Sequence, residues 1–191
     1  SIMSSGDVLL RLGGIMERGG KLVLIDPRRS ETALYATEHQ FIRPGSDALF
    51  LLGLIQVVIR RKLTKPAHLL PITEGWDELA RLFDFIELDE IGRLTGISKE
   101  TIERIAVEFA SAERAVCYGR MGVSVQEFGA LNHWLIQVLN ILTGNLDRPG
   151  GMMFTTPALE VVKESERGSV DRYPSRVRAC PEVNNEFPTA G

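Results

Sequence analysis

Cysteine is nearly absent from this 191-residue chain, which contains only Cys117 and Cys180. The two lie far apart and form no Cys-x-x-Cys pair, so we predict no zinc or iron–sulfur site built from this chain alone. No pattern supports a disulfide between them either. We expect a buried thiol at Cys117 and a loop thiol at Cys180.

An excess of charge of one sign is also missing, because 22 basic and 25 acidic side chains nearly balance. Such a surface has no field that would steer nucleic acid or an anionic membrane. The longest apolar run, from Ala48 to Ile59, is interrupted by Gly53 and Gln56 and is too short to cross a bilayer. We therefore expect no nucleic-acid partner and no membrane span. Because Ser1 is not an initiator and no signal-peptide pattern follows it, we also expect the chain to begin inside a longer protein.

The apolar side chains alternate between helical spacing and short continuous runs. Lys21 to Ile25 and Arg114 to Tyr118 are runs typical of buried parallel strands, and Phe41-Ile42 indicates a small strand between them. Helical spacing covers residues 8–16, 30–35, 46–62, 76–83, 88–94, 99–110 and 128–143. This alternation predicts an α/β fold with a parallel sheet. Residues 158–191 are rich in charge, proline and serine, and predict an irregular tail.

The first candidate site is Asp26-Pro27-Arg28-Arg29-Ser30, directly after the first predicted strand. In an open parallel sheet, ligands bind beyond the carboxyl ends of the strands. A carboxylate there can accept hydrogen bonds from ribose hydroxyls or a guanine edge, and arginines can pair with phosphates. The same residues also suit a plain strand-to-loop turn, because Asp-Pro commonly starts turns.

The second candidate site is Arg43-Pro44-Gly45-Ser46-Asp47, which leads into the next predicted helix. Gly45 allows the backbone to approach a ligand, and a helix start offers unpaired N–H groups. Asp47 can cap the helix or reach a base, and Ser46 is the expected cap. Taken alone, the segment is also simply a good helix start.

The third candidate site is the loop from Gly119 to Gln126, between a predicted strand and the long last helix. A glycine-containing loop in that position can hold a pyrophosphate or a pterin, although the pattern is neither a P-loop nor a full dinucleotide fingerprint. No histidine has a partner at metal-ligand or catalytic spacing, and His133 is expected to be structural. We therefore predict no catalytic and no metal-binding residue in this chain.

In order and spacing these segments resemble the molybdopterin oxidoreductase family, which includes dimethylsulfoxide reductase, formate dehydrogenases and nitrate reductases. The matching strings are Leu22–Ala33, Ile42–Asp47, Tyr118–Gly122 and Leu142–Gly151. They extend the resemblance over residues 6 to 155. The tail, with Ser175-Arg176-Val177-Arg178 and Pro181-Glu182, is similar to one branch of the family.

The resemblance implies a three-layer α/β/α, Rossmann-like parallel sheet that forms part of intertwined cofactor-binding domains. The family carries two molybdopterin guanine dinucleotides around one molybdenum or tungsten. Asp26 to Ser30 and Gly45 to Asp47 would line the guanosine end of one cofactor, with Asp47 on the guanine edge and Asp26 on the ribose or base. Met121, Gly122 and Gln126 would approach the pterin or phosphates of the other, whereas Gly144-Asn145 would shape a helix end.

The family's iron–sulfur cysteines, metal ligand and C-terminal domain have no counterpart in this chain, so an iron–sulfur cluster is expected in the parent protein only. The parent would move two electrons, with oxygen-atom or proton transfer at the metal, while the isolated chain is predicted to be inactive. Its partners would be the cofactor, the remainder of the catalytic subunit and an electron-transfer protein. Residues 1–112 would be the latter part of one cofactor-binding unit, residues 113–157 a strand, loop and helix of the second, and residues 158–191 the tail.

Two other interpretations remain open. The chain can belong to a non-catalytic subunit that keeps the fold without the cofactor, or it can be an unrelated nucleotide-binding module such as a nucleotide-sugar enzyme. Asp26 and Asp47 argue against the first, since a structural relic needs no exposed carboxylates at two strand ends.

Overall fold

The computed structural model describes residues 7–83, 87–153, 170–174, 176, 179 and 181–183. Cys180 and Ser175, which the sequence analysis singled out, lie outside the described residues. Contacts divide the chain into two compact units, residues 1–153 and 154–191. The helices and strands of the first unit are α1 Val8–Glu17, β1 Val23–Ile25, β2 Glu38–Gln40, α2 Asp47–Arg60, α3 Trp76–Leu82, α4 Leu88–Thr95, α5 Lys99–Ser111, α6 Met121–Ser124 and α7 Gly129–Leu142, with 3₁₀ helices at Glu31–Leu34 and Ala67–Ile72.

The core of the first unit surrounds α2, which packs against α4, α5 and α7. Helix α2 is apolar on most of its sides, and Ile55 and Val58 are fully buried. Ile91 of α4, Ile102 of α5 and Leu135 of α7 are fully buried as well. The prediction of a largely buried helix here is confirmed, because a helix that is apolar all round is stable only when other elements cover it.

The helices predicted from apolar spacing agree with α1 to α5 and α7 to within two residues at most ends. Ser98 caps α5 as a good N-cap residue should, with its Oγ accepting a hydrogen bond from the N–H of Thr101 at 3.3 Å. The short helix α6 and the 3₁₀ helix Ala67–Ile72 were not predicted, because such short elements carry too few residues to show a period.

Strands β1 and β2 form a small parallel sheet, with Val23 opposite Glu38 and Ile25 opposite Gln40. The parallel pairing was predicted, but the position of the second strand was wrong. Phe41-Ile42 lies just after the strand, where Ile42 is buried and Phe41 is exposed. Tertiary pairing, not the local apolar pair, decides where the ladder ends. The first unit is thus a mixed helix and strand structure with a small parallel sheet.

The segment Arg114 to Tyr118 was predicted to be a strand, and this was wrong, because it belongs to neither sheet among the described residues. Two asparagine side chains take the place of a neighbouring strand. Asn140 on α7 accepts from the N–H of Cys117 at 3.0 Å and donates to its carbonyl at 2.9 Å. Asn145 accepts from the N–H of Ala115 at 3.1 Å. Backbone polar groups must be paired, but the partner need not be backbone.

Gly144 ends α7 with a left-handed backbone, φ +70°. A Cβ there would lie 2.3 Å from the carbonyl oxygen of Lys65, so the position requires glycine. The N–H of Asn145 then bonds the carbonyl of Asn140 at 2.7 Å, which brings the Asn145 side chain beside Ala115. The expectation that Gly144-Asn145 shapes the helix end is confirmed.

The second unit contains the antiparallel pair β3 Val170–Pro174 and β4 Pro181–Val183. Most of the tail was expected to be irregular, and these two strands are exceptions within it. The Glu182 side chain is fully buried and accepts from the N–H of Arg172 at 3.2 Å. In the described part of the chain, none of the helices has the length and apolar character needed to cross a membrane.

Candidate functional site

The first strand end is a side-chain-stabilised turn. After β1, the N–H of Asp26 still bonds the carbonyl of Gln40 at 3.2 Å, which continues the β1–β2 pairing by one residue. The Asp26 Oδ1 then accepts from the N–H of Arg28 at 2.8 Å, the geometry of an Asx-turn. The other carboxylate oxygen has no hydrogen-bond partner among the described residues. Asp26 therefore makes the turn with one oxygen and can offer the other to a ligand.

Pro27, Arg28 and Arg29 are exposed, while Ser30 is half-buried. Neither arginine forms an ion pair with any residue that the structure describes. Two exposed guanidinium groups beside a strand end are suited to bind phosphate oxygens through charge-assisted hydrogen bonds.

His39 supports this strand end, and the sequence analysis did not assign it a role. Its Nε2 lies 3.0 Å from the carbonyl oxygen of Asp26, and its ring packs against Phe41 with 4.3 Å between ring centroids. The parallel register places His39 opposite Leu24, next to the turn. No local pattern marks this role, because it depends on which strand pairs with β1.

The second candidate segment is a tight turn into α2. Gly45 has φ +84°, and no atom lies within 4 Å of where its Cβ would be, so the backbone there is open to approach. Ser46 is the N-cap residue, as predicted, but its side chain does not cap the helix. Its Oγ donates to the carbonyl of Arg43 at 2.7 Å and closes the turn. Asp47 is the first residue of α2 and is half-buried.

The third segment folds as a turn of helix, α6, which the sequence analysis treated as a loop. Met121 and Gly122 are exposed, and no atom lies within 4 Å of a Cβ built on Gly122. Gln126, which follows α6, is half-buried.

The structure brings the second and third segments together. The Gln126 Nε2 donates to Asp47 Oδ2 at 2.7 Å, although the two residues are 79 positions apart in sequence. The same nitrogen donates to the carbonyl of Gly122 at 2.7 Å. Asn132 Nδ2 donates to Gln126 Oε1 at 3.4 Å and to the carbonyl of Val123 at 3.0 Å. We call Asn132, Gln126 and Asp47 the amide relay. Among the described residues, no hydrogen bond joins Asp26 to Asp47.

Asn132 is a site residue that the sequence analysis missed. It is fully buried on α7, and so is Asn140 eight residues later, with Ile136 between them at helical spacing. Two asparagines at positions i and i+8 interrupt the apolar face. That interruption was the available signal, since fully buried amides are kept where they bond specific partners.

Comparison with known proteins gives these segments a context. The F420-dependent formate dehydrogenase 2 subunit alpha of Methanococcus maripaludis is 34% identical over 134 residues, which are 70% of this chain and 20% of that protein. The assimilatory nitrate reductase catalytic subunit of Bacillus subtilis is 31% identical over 135 residues, covering 70% of this chain and 19% of its own length. The solved structure of acetylene hydratase from Pelobacter acetylenicus matches 76% of this chain and 20% of its own, with a TM-score of 0.70 and 26% identity.

This chain belongs to the molybdopterin oxidoreductase family. No protein-family model matches it. The chain spans about a fifth of the length of the curated relatives it matches. The resemblance inferred from the strand-end segments is thereby confirmed.

At the amino ends of β1 and β2, this family member carries an ion network that joins the sheet to α5. Lys21 Nζ lies 2.8 Å from Glu38 Oε2 and 2.6 Å from Glu108 Oε2, and Arg104 pairs with both carboxylates. Partial burial raises the pKa of Glu38, but hydrogen bonds from Arg104 and Lys21 outweigh this and lower it to about 2. The network therefore holds β2 against α5 near neutral pH.

Two further polar groups lie near the third segment. His133 Nε2 is 2.7 Å from Ser124 Oγ, which also donates to the carbonyl of Arg120 at 3.0 Å. The pair links α7 to α6, in keeping with a structural His133.

Burial raises the pKa of the half-buried Cys117 thiol to about 12, so it stays protonated and unreactive near neutral pH. Within the described ranges, no cluster of His, Cys, Asp and Glu could hold a metal ion.

Proposed function

We propose that this chain is the cofactor-binding portion of a molybdenum or tungsten oxidoreductase with two molybdopterin guanine dinucleotides, and that it binds the guanosine and phosphate end of one of them. The observation that carries this proposal is the parallel pair β1–β2. Asp26 follows β1 and the turn at residues 43–47 follows β2, so both segments come after the carboxyl ends of paired parallel strands. Those ends form the edge at which parallel sheets bind nucleotides.

The donors and acceptors at this edge fit a guanosine that carries phosphates. Asp26 and Asp47 each keep one carboxylate oxygen without a partner in the described part of the chain, and these can accept from ribose hydroxyls and the guanine edge. Arg28 and Arg29 are exposed for phosphate. The first N–H groups of a helix have no partner within it, and those of α2 follow the open Gly45.

The wider assignments are part of the same proposal. Met121 and Gly122, exposed on α6, approach the pterin or phosphates of the second cofactor, with Gln126 behind them. Residues 1–112 and 113–157 belong to two cofactor-binding units, and residues 158–191 are a tail. In the complete parent these elements take part in a three-layer α/β/α sheet. The relatives' names, formate dehydrogenase and nitrate reductase, support an oxidoreductase parent.

When bound, the cofactor and its metal would supply two-electron chemistry with oxygen-atom or proton transfer. The residues of this chain bind and orient one end of that cofactor. The metal ligand, an iron–sulfur cluster and the electron-transfer partner belong to the rest of the parent. We therefore expect no turnover by the isolated chain. Reduction or oxidation of formate or nitrate by the purified chain supplied with cofactor would refute that expectation.

Titration calorimetry of the 191-residue chain with guanosine diphosphate and adenosine diphosphate tests the site. We expect the guanine nucleotide to bind more tightly. Asp47→Ala removes a charged acceptor and should cost about 1.5–3 kcal/mol of binding energy, a loss of at least tenfold in affinity. The melting temperature should change little, since within the described part of the chain Asp47 Oδ2 accepts a single hydrogen bond, from Gln126.

Asp89→Ala is the matched control, because Asp89 is also in the first turn of its helix, α4, but pairs with Lys99. It should leave nucleotide affinity unchanged. Unchanged affinity of Asp47→Ala together with a large fall in melting temperature would make Asp47 a structural cap. Equal affinity for both nucleotides would favour an unrelated nucleotide-binding module. Metal analysis of the parent protein separates a catalytic from a non-catalytic subunit.

A further inference from the structure

Both N–H donors of the Gln126 side-chain amide are already engaged in hydrogen bonds. A side-chain amide has two N–H donors, and those of Gln126 point to Asp47 Oδ2 and to the carbonyl of Gly122, both at 2.7 Å. Its oxygen faces Asn132 Nδ2 at 3.4 Å. Gln126 therefore has no donor left for a ligand, and its hydrogen bond to Asp47 is what connects it to the carboxylate proposed to bind guanine.

The amide relay is anchored in the core by α7. Asn132 is fully buried, and its Nδ2 also donates to the carbonyl of Val123 at 3.0 Å. Its Oδ1 is buried and has no hydrogen-bond partner among the residues that the structure describes. The amide orientation that leaves Oδ1 unpaired is the one that presents Nδ2 to Gln126 and Val123. A fully buried polar group held in this way keeps the relay in one conformation.

A guanine edge presents N1–H and N2–H side by side, so a carboxylate accepts from both when its two oxygens lie in the plane of the base. Each carboxylate oxygen has two lone pairs, so Asp47 Oδ2 can accept from Gln126 and from guanine at the same time. Gln126 binds one oxygen of Asp47 from the side of α7, and the other oxygen has no partner among the described residues. We propose that Gln126 is a positioning residue, which orients the Asp47 carboxylate for guanine through the hydrogen bond from its side-chain amide. This inference rests on the proposed function, and it replaces direct cofactor contact as the role of Gln126.

Guanosine diphosphate binding by the 191-residue chain, measured by calorimetry for single and double variants, tests the inference. Gln126→Ala should weaken binding by about tenfold, the effect of a lost hydrogen bond to a charged group. In an Asp47→Ala background the same change should have no further effect on affinity, because the relay then has nothing to orient. Gln126→Glu keeps the side-chain volume but places a carboxylate against Asp47, and it should weaken binding more than Gln126→Ala.

The control is Gln137→Ala, the same substitution at an exposed position of α7. It should leave affinity unchanged, and melting curves identify any variant that fails to fold. Since Gln126→Glu preserves packing, a folded Gln126→Glu chain gives the answer even if Gln126→Ala unfolds. Normal or tighter binding by both Gln126 variants, or additive losses in the double variant, would overturn the positioning role. A wild-type chain that binds no guanine nucleotide would instead overturn the proposed function itself.

Discussion

Two segments of this protein have similar apolar sequences, but their backbones are hydrogen-bonded in different ways. Lys21 to Ile25 and Arg114 to Tyr118 are both short apolar runs that predict parallel strands. The first forms β1 and pairs through its backbone with β2. The second belongs to no sheet among the described residues, and its backbone bonds to the side chains of Asn140 and Asn145.

The difference shows that an apolar run indicates a partly buried segment but does not determine the hydrogen-bond partner of its backbone. The first segment is held by a ladder and by the ion network of Lys21, Glu38, Arg104 and Glu108. The second depends on two side-chain amides, because Asn140 bonds two backbone groups of the segment and Asn145 bonds one. Single substitutions should therefore damage the second segment more than the first.

Asn140→Leu should have the largest effect, because it leaves the N–H and the carbonyl of Cys117 without their partner. Each unpaired, partly buried group costs about 1–3 kcal/mol, so we expect a loss of about 2–6 kcal/mol in the free energy of unfolding. Urea denaturation measures it. The control Gln137→Leu, at an exposed position of the same helix, should change stability by less than about 0.5 kcal/mol. Equal stability of the two variants would show that the segment does not depend on Asn140.

Gly144→Ala should come next, since it strains the backbone that delivers Asn145 to Ala115. The left-handed φ and the 2.3 Å approach of a Cβ to the Lys65 carbonyl should together cost about 2–3 kcal/mol. Thermal melting measures the loss. In contrast, Gly13→Ala, within α1 and with no atom within 4 Å of its Cβ, should be neutral or stabilising by up to about 1 kcal/mol. A tolerated Gly144→Ala would argue that the turn can relax.

A smaller effect is expected at the first segment. Glu38→Gln removes the charge that Lys21 and Arg104 share, and should cost about 1 kcal/mol near pH 7. The pKa of Glu38 is lowered to about 2 in the folded chain, from an ordinary value of 4.5. Its contribution is therefore complete above pH 4.5 and is lost as the pH falls toward 2. Stability measured between pH 2 and 6 should depend less on pH in Glu38→Gln than in the wild type, whereas Glu100→Gln, exposed on α5, should keep the wild-type profile.

The last prediction concerns the reactivity of the Cys117 thiol and involves no change in the stability of the fold. Burial raises the pKa of Cys117 to about 12, so its thiol should react very slowly with iodoacetamide at pH 8 in the folded chain. A Cys180→Ser background makes Cys117 the only thiol that is counted. Unfolding in urea should restore ordinary reactivity. Equally fast alkylation of folded and unfolded chain would mean that the segment opens readily from α7.

Much of the local structure was predictable, since helical spacing and turn residues act over a few positions. The helices from α1 to α5 and α7 were found at nearly their true limits, and Ser98 was recognised as a cap. The position of β2 was predicted wrongly, because only pairing with β1 selects Glu38–Gln40 over the more apolar Phe41-Ile42. The hydroxyl of Ser46 was expected to cap α2, but it donates instead to the carbonyl of Arg43, three residues earlier, at 2.7 Å.

Short-range order along the chain was enough to predict the helices, the acidic residues Asp26 after β1 and Asp47 at the start of α2, and the family to which the chain belongs. Only the tertiary structure decided that Gln126 reaches Asp47 and that Asn140 replaces a strand beside Cys117. Those contacts join residues 79 and 23 positions apart. Polar side chains carry no periodic signal that names their partners, so their roles emerge only when the packing of α2 and α7 brings them together.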